Sequence, residues 1–339
     1  MFDKVFIVAE LSANHNGSLE NAINTIKSAK RAGADAIKLQ TFTPDSITLK
    51  STNEDFLIKG SIWANQYLYD LYNKAQTPWE WHAKLFEVSR EVGLKCFSSP
   101  FDKNAVDFLE ELNCPYYKIA SLEITDIPLI EYIASKGKPI FISTGIAEKE
   151  DIDLAIKTCM KVGNKQVVLL KCTTSYPADV SEANLIMIKK YSEEYGVLTG
   201  LSDHTLGSTS AVMSVGYGAK VIEKHFTIDK RSDGLDTSFS ADESEFKKLV
   251  VSIREAEKAI GKISFNLSKS QIKNKYLSRS LYVCKDVKKG DVISEDNVKS
   301  VRPSYGLHPK FLPEIMGKKF NKKISSGTRM DLKFIEKTN

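Results

Sequence analysis

A (β/α)8 TIM barrel followed by a small β-rich domain is the α/β fold this sequence predicts, and three observations predict it. Eight short apolar runs end in polar residues, each is followed by an amphipathic segment of helical length, and the pattern changes beyond residue 261. The runs are VFIVAEL (5–11), AIKLQTF (36–42), LKCFSSP (94–100), YYKIAS (116–121), PIFISTG (139–145), VVLLKCT (167–173), VLTGLSDH (197–204) and VIEKHF (221–226). Strict strand–helix alternation calls for a parallel sheet, and eight is the number that closes it into a barrel. A doubly wound sheet is the competing arrangement, but no GxGxxG follows the first run.

The intervening segments carry helix signals. Ser18 is placed to cap LENAINTIKSAKRA and Gly33 to end it, while DIDLAIKTCMKVG and ANLIMIKKYSEEYG space apolar residues three and four apart. Residues 1–261 therefore read as the barrel. Periodicity is lost over 262–278, which reads as a linker, and residues 279–339 turn to short strand-like pieces around glycine turns (Lys288-Lys289-Gly290 and Ser325-Ser326-Gly327) in a loose duplication.

The 339 residues are 42% hydrophobic and 27% charged, as in an ordinary soluble globular chain. The net charge of +5 comes from lysines interleaved with glutamates on helical faces, which argues against nucleic-acid binding. Five widely spaced cysteines without a CxxC pair predict reduced thiols and a cytoplasmic location. The run VFIVA is too short for a signal segment, and no run is long enough to cross a membrane.

Catalytic groups of such a barrel belong at the C-terminal ends of its strands. Those ends carry Glu10; Lys38 and Gln40; Ser98 and Ser99; Lys118, Ser121 and Glu123; Ser143 and Thr144; Lys171, Thr173, Thr174 and Tyr176; Ser202, Asp203 and His204; Glu223 and His225. Three lysines at a barrel mouth are costly to desolvate unless an anion neutralises them, so a small phosphate or carboxylate ligand is expected. His204 and His225, on adjacent strands, suit a divalent metal with open coordination positions, although a lone strand-end histidine is more often a hydrogen-bonded core residue. His15 reads as a loop residue, while His82, His308, Trp79 and Trp81 read as packing. Lys59 and Trp63, in a long excursion after the second strand, read either as substrate contacts or as a cover.

The ordered set AELSANHNGS, IKLQTF, FSSPF, YKIAS with Glu123, ISTG, KCTTSYP, GLSDHT and EKHF closely resembles the sialic acid synthase family. The tail RSLYVCKDVKKGDVISEDNVKSVRPSYG resembles that family's antifreeze-like (SAF) domain. The resemblance implies condensation of phosphoenolpyruvate with an N-acetylated amino sugar. It further implies that Lys38, Ser99, Lys118, Ser121, Ser143, Thr174 and Ser202 bind phosphoenolpyruvate, and that His204 and His225 hold Mn²⁺, Mg²⁺ or Co²⁺. Glu10 and Glu123 become the catalytic carboxylates, with Glu10 as acid/base. Gln40, Glu123, Tyr176 and Asp236 then address the sugar, and Arg302 reaches the partner's site in a domain-swapped homodimer. The loop RSDGLDTSFS (231–240) stands where the sialic and legionaminic branches carry a Gly-Pro-Asp-His stretch. With ELSANHNGSLENAI, FLIKGSIW and SVRPSYGLHPKF it brings the resemblance nearest the branch that uses 2,4-diacetamido-2,4,6-trideoxy-L-altrose, with an N-acetylneuraminate or legionaminate synthase as the alternative. A Schiff-base aldolase using Lys118 and a sugar-binding module are the readings from other classes.

Overall fold

The eight apolar runs form eight parallel strands: β1 (Phe6–Glu10), β2 (Ala36–Thr41), β3 (Lys95–Pro100), β4 (Tyr117–Ile119), β5 (Ile140–Ser143), β6 (Val167–Cys172), β7 (Leu198–Asp203) and β8 (Val221–His225). They pair in sequence order and close where β1 meets β8, with Glu10 beside His225. The coordinates are a computed structural model that describes residues 2–337, and the chain divides into two compact units, Met1–Gly261 and Lys262–Asn339.

The helices of the first unit are α1 (Leu19–Ala32), α2 (Pro44–Ile47), α3 (Leu68–Ala75), α4 (Trp79–Glu91), α5 (Lys103–Glu111), α6 (Ile127–Ser135), α7 (Lys149–Lys161), α8 (Ile186–Tyr195), α9 (Thr209–Gly216) and α10 (Glu243–Ile260). Ser18 caps α1 by accepting from Asn21 N, and Gly33 ends it at φ 92°, a conformation that costs any other residue strain. The strands are buried on both faces because helices cover the outside, so they show no apolar–polar alternation.

Phe6, Phe97 and Phe141 come from β1, β3 and β5, the alternate-strand pattern of a barrel layer. They cluster with Phe2 and Tyr116: Phe97 meets Phe141 at 5.4 Å between ring centroids, and Tyr116 stacks on Phe141 at 5.5 Å. This plug closes the interior of the barrel away from the polar strand ends.

The second unit has its own core, including Leu281, Val283, Val298, Phe320 and Met330, around the antiparallel pair β9 (Ser280–Val283) and β10 (Val298–Val301). Residues 262–278 are not structureless. Ser268 and Gln271 form a capping box that starts the short helix α11 (Lys269–Asn274), a signal that the loss of longer periodicity hides. No helix among the described residues is long and apolar enough to cross a membrane.

Candidate active site

Lys38 and Lys118 enter the barrel mouth almost fully buried, 3% and 2% exposed. Each Nζ lies 3.8 Å from Glu223 Oε1, and Lys38 Nζ lies 2.6 Å from Glu10 Oε2. Ser202 Oγ donates to Glu223 Oε1 at 3.0 Å, and Lys38 Nζ donates to Ser99 Oγ at 3.4 Å. The protein itself thus supplies part of the negative charge that these lysines demand. Burial opposes the charge on both lysines. Glu10 and Glu223 more than offset it at Lys38, whose pKa is raised, whereas Lys118 stays lowered, with Lys38 repelling it as well. Of the two carboxylates, Glu10 is raised by burial, against the pull of Lys38, and Glu223 is lowered because Lys118 and Lys38 overcome its burial. The spare proton of this cluster therefore belongs to Glu10.

Around the lysines, the hydroxyls of Ser143 and Thr174 are buried without a hydrogen-bond partner. Ser121 Oγ accepts from Gly145 N at 3.1 Å. A Cβ at Gly145 would sit 1.9 Å from Thr174 Oγ1 and 2.7 Å from Ser121 Oγ, so only glycine lets these two side chains converge. Two buried ammonium groups with convergent, partly unpaired hydroxyls are chemically matched to a small anion.

His204 and His225 lie beside this cluster, with ring centroids 5.4 Å apart. Thr173 O, an acceptor only, lies 2.9 Å from His204 Nδ1 and so requires the proton there, leaving Nε2 as the second nitrogen of the ring. His225 Nδ1 is buried without a hydrogen-bond partner, 3.8 Å from Asp236 Oδ2. Burial, reinforced by His204 and the lysines, holds the His225 pKa well below the ordinary value and keeps the ring neutral. A fixed tautomer on one ring and an unpartnered nitrogen on the other fit a divalent ion. Among the described residues no group of three or more His, Cys, Asp or Glu side chains is spaced to hold a metal, so such an ion would draw its remaining ligands from water and substrate.

A polar chain runs from the cluster to the mouth. Gln40 Nε2 donates to Glu10 Oε1 at 3.0 Å and to Ser12 Oγ at 3.1 Å, and Ser12 Oγ donates to Asp236 Oδ2 at 2.5 Å. It borders a cavity of about 240 Å³ whose lining includes Gln40, Trp63, Glu123, Tyr176, His225 and Asp236. Tyr176 lies over His204, ring centroids 4.4 Å apart, and Trp63 packs on Tyr176 while its Nε1 donates to Leu235 O. Burial raises Glu123 to about 7, and its Oε2 has no hydrogen-bond partner.

The barrel thus gathers Glu10, Lys38, Gln40, Ser99, Lys118, Ser121, Glu123, Ser143, Thr174, Tyr176, Ser202, His204, His225 and Asp236 at one end. Other expected rim residues lie elsewhere. Lys171 leaves the lysine cluster and donates to Cys172 O at 2.5 Å, because Cys172 takes the inward position on β6, 3.8 Å from His204 Nδ1. Ser98 turns outward to Thr41 Oγ1 at 2.6 Å, which in turn contacts His82 Nε2. Lys59 pairs with Glu54 at the surface. His15 accepts from Gly17 N inside its loop, and His308 caps a turn of the small unit. Arg302 is exposed just after β10 and makes no salt bridge among the described residues. Sequence reasoning gave no role to Ser12, Gly145, Cys172 or Glu223. Glu223 and Gly145 stood within quoted strand ends, and Ser12 stood in the first motif.

A closed parallel barrel with two buried lysines, ringing hydroxyls and two histidines at its C-terminal end defines a barrel enzyme built around a small anionic substrate. Residues 25–264 match the NeuB family and residues 278–328 match the SAF domain. The chain is 50% identical to the pseudaminic acid synthase of Campylobacter jejuni over 324 residues, covering 96% of this chain and 94% of that one. It is 45% identical to the pseudaminic acid synthase of Helicobacter pylori, covering 98% of each. A crystal structure of N-acetylneuraminic acid synthetase from Leptospira borgpetersenii superposes with a TM-score of 0.72 at 30% identity, covering 80% of this chain and 90% of that one. The chain belongs to the NeuB family.

Proposed function

We propose that this enzyme condenses phosphoenolpyruvate with 2,4-diacetamido-2,4,6-trideoxy-L-altrose to give pseudaminic acid and phosphate. The observation that carries the reading is the buried Lys38/Lys118 pair, with its hydroxyl ring, set directly beside His204 and His225. An anion site and an electrophile site then share one wall. The relatives named above bear on the choice of sugar.

Lys38 and Lys118 neutralise the phosphate and carboxylate of phosphoenolpyruvate, and Ser99, Ser121, Ser143, Thr174 and Ser202 supply hydroxyl donors. Gln40, Glu123, Tyr176 and Asp236 hold the sugar so that its open-chain aldehyde faces C3 of the enol. A divalent ion held by His204 and His225, Mn²⁺ in preference to Mg²⁺ or Co²⁺, would supply Lewis-acid polarisation of that aldehyde. The C3–C1 bond forms as the enol electrons move to the aldehyde carbon and the carbonyl pair moves to its oxygen, which takes the proton held by Glu10, leaving C2 electron-poor and Glu10 a carboxylate. Water adds at C2 with its proton passing to Glu10, whose pKa near neutrality suits both acid and base roles. The C2–O bond to phosphate then breaks as the new C2 hydroxyl passes its proton to the departing phosphate, releasing inorganic phosphate and the 2-keto acid.

A homodimer completes the proposal, with Arg302 delivered as a bidentate donor to the partner's substrate. Ile263 and Phe265 are fully exposed, as expected of apolar residues that a second copy covers. Arg302→Ala should leave the dimer intact by light scattering and reduce turnover; unchanged turnover would remove the in-trans role. The reaction itself is tested by phosphate release across a sugar panel. Turnover should appear with the altrose derivative, vanish with a chelator and return with Mn²⁺, without borohydride trapping of pyruvate. Strong turnover with N-acetylmannosamine and none with the altrose derivative would overturn the choice of sugar.

A further inference from the structure

The cavity beside the histidines is lined by two kinds of side chain. Gln40, Glu123, Asp236 and His225 are polar. The apolar share comes largely from α3, whose Leu68, Leu71 and Ala75 share one helical face and line the cavity together with Ile47 and Phe101, while Tyr72 of the same helix lies near Glu123. Leu71 is buried, but Leu68, Ala75, Ile47 and Phe101 are only half-buried. An amphipathic helix usually closes its apolar face against a core, and here much of that face borders the cavity. A fully hydroxylated sugar carries nothing that would gain from this wall, whereas a chain ending in a methyl group does.

We infer that the apolar α3 wall of the cavity is a methyl subsite that selects a 6-deoxy sugar over its 6-hydroxy counterpart, and that Leu68 and Ala75 set the preference. The inference rests on the proposed reaction and adds to it the residues that read the sugar's far end. An acetamido methyl is the substrate's other apolar group. The 6-hydroxy analogue of the diacetamido sugar separates the two cases, because it keeps both acetamido groups and changes only C6.

The test is phosphate release at saturating phosphoenolpyruvate with the 6-deoxy sugar and with that analogue. The wild-type chain should favour the 6-deoxy sugar by roughly 100-fold in kcat/KM, about the limit for an apolar pocket facing an added hydroxyl. Leu68→Asn and Ala75→Ser should each cut that preference by about 10-fold, through the KM for sugar and not the KM for phosphoenolpyruvate. Leu68→Met should restore the preference lost in Leu68→Asn. Ala75→Ser adds a single oxygen, so it reports even where Leu68→Asn fails to fold. Equal turnover of both diacetamido sugars by the wild-type chain, or an unchanged preference in the folded variants, would overturn the inference and leave the reaction standing. Turnover of neither, with turnover of N-acetylmannosamine, would sink the reaction and the subsite together.

Discussion

Strands β7 and β8 carry two charged clusters, one on each face of the barrel wall and a single residue apart in sequence. On the outer face Asp203 Oδ2 accepts from Lys224 Nζ at 2.8 Å, and Asp203 Oδ1 accepts from Thr205 N at 3.0 Å and Thr205 Oγ1 at 2.8 Å. Lys224 Nζ also donates to Thr205 O at 2.5 Å. On the inner face Glu223 is shared by two lysines at 3.8 Å, and Glu223 Oε2 and His225 Nδ1 have no hydrogen-bond partner. Both clusters are buried to a similar degree, so burial does not separate a structural ion pair from a reactive site. Satisfaction does: the outer groups have spent their hydrogen-bonding capacity inside the fold, and the inner groups have kept some of it.

The largest test of this contrast is Glu10→Gln on the inner face. It should lower kcat by about 10²–10⁴-fold without lowering the urea midpoint at pH 7, since its proposed role is proton transfer and burial already disfavours its charged form; a marked loss of stability would make Glu10 structural. Asp203→Ala on the outer face should do the reverse in kind. Stranding Lys224 without its partner costs about 3–5 kcal/mol in urea unfolding, and a loss below about 1 kcal/mol would mean the outer pair is dispensable.

Glu123→Gln comes next. Because burial raises Glu123 from 4.5 to about 7, the folded state holds its proton more tightly than the unfolded chain. Its contribution is therefore present below pH 4.5 and lost as pH rises through 7. The glutamine variant should match wild type near pH 4 and exceed it by at most about 3 kcal/mol at pH 8. A difference independent of pH would show that Glu123 is not buried as a strained acid. The smallest effect belongs to the exposed Lys59–Glu54 pair. Lys59→Ala should change stability by less than about 0.5 kcal/mol and leave turnover unaltered, and a marked rise in sugar KM would return Lys59 to the substrate.

The existence and order of the strands were legible because apolar runs, polar ends and helix caps all carry local signals. The facing of individual residues was not. A strand buried on both sides lacks alternation, so nothing local distinguishes Lys171 from Cys172, Ser98 from Ser99, or Glu223 from Lys224. Parity became visible only once register placed Ser202 beside Glu223 and Asp203 beside Lys224. Glu223 stood among the polar strand ends, but its role was not legible for a related reason. Its importance lies in sitting between Lys38 and Lys118, which come from β2 and β4, and no spacing within one chain segment encodes that meeting. Gly145 is similar, since its need for a bare backbone comes from Ser121 and Thr174 on neighbouring loops.

Helix α3 lies outside the eight-unit frame, in the single stretch that joins β2 to α4. The groups proposed to handle phosphoenolpyruvate and protons sit on the strands and the turns just beyond them, but the wall inferred to choose the sugar is carried, Phe101 apart, by one contiguous excursion, residues 42–78. Appetite for a different sugar could then be transplanted between related barrels by exchanging that excursion alone, leaving the bond-making machinery untouched. Divergence of substrate range in such a scaffold would be an insertion's history rather than a barrel's.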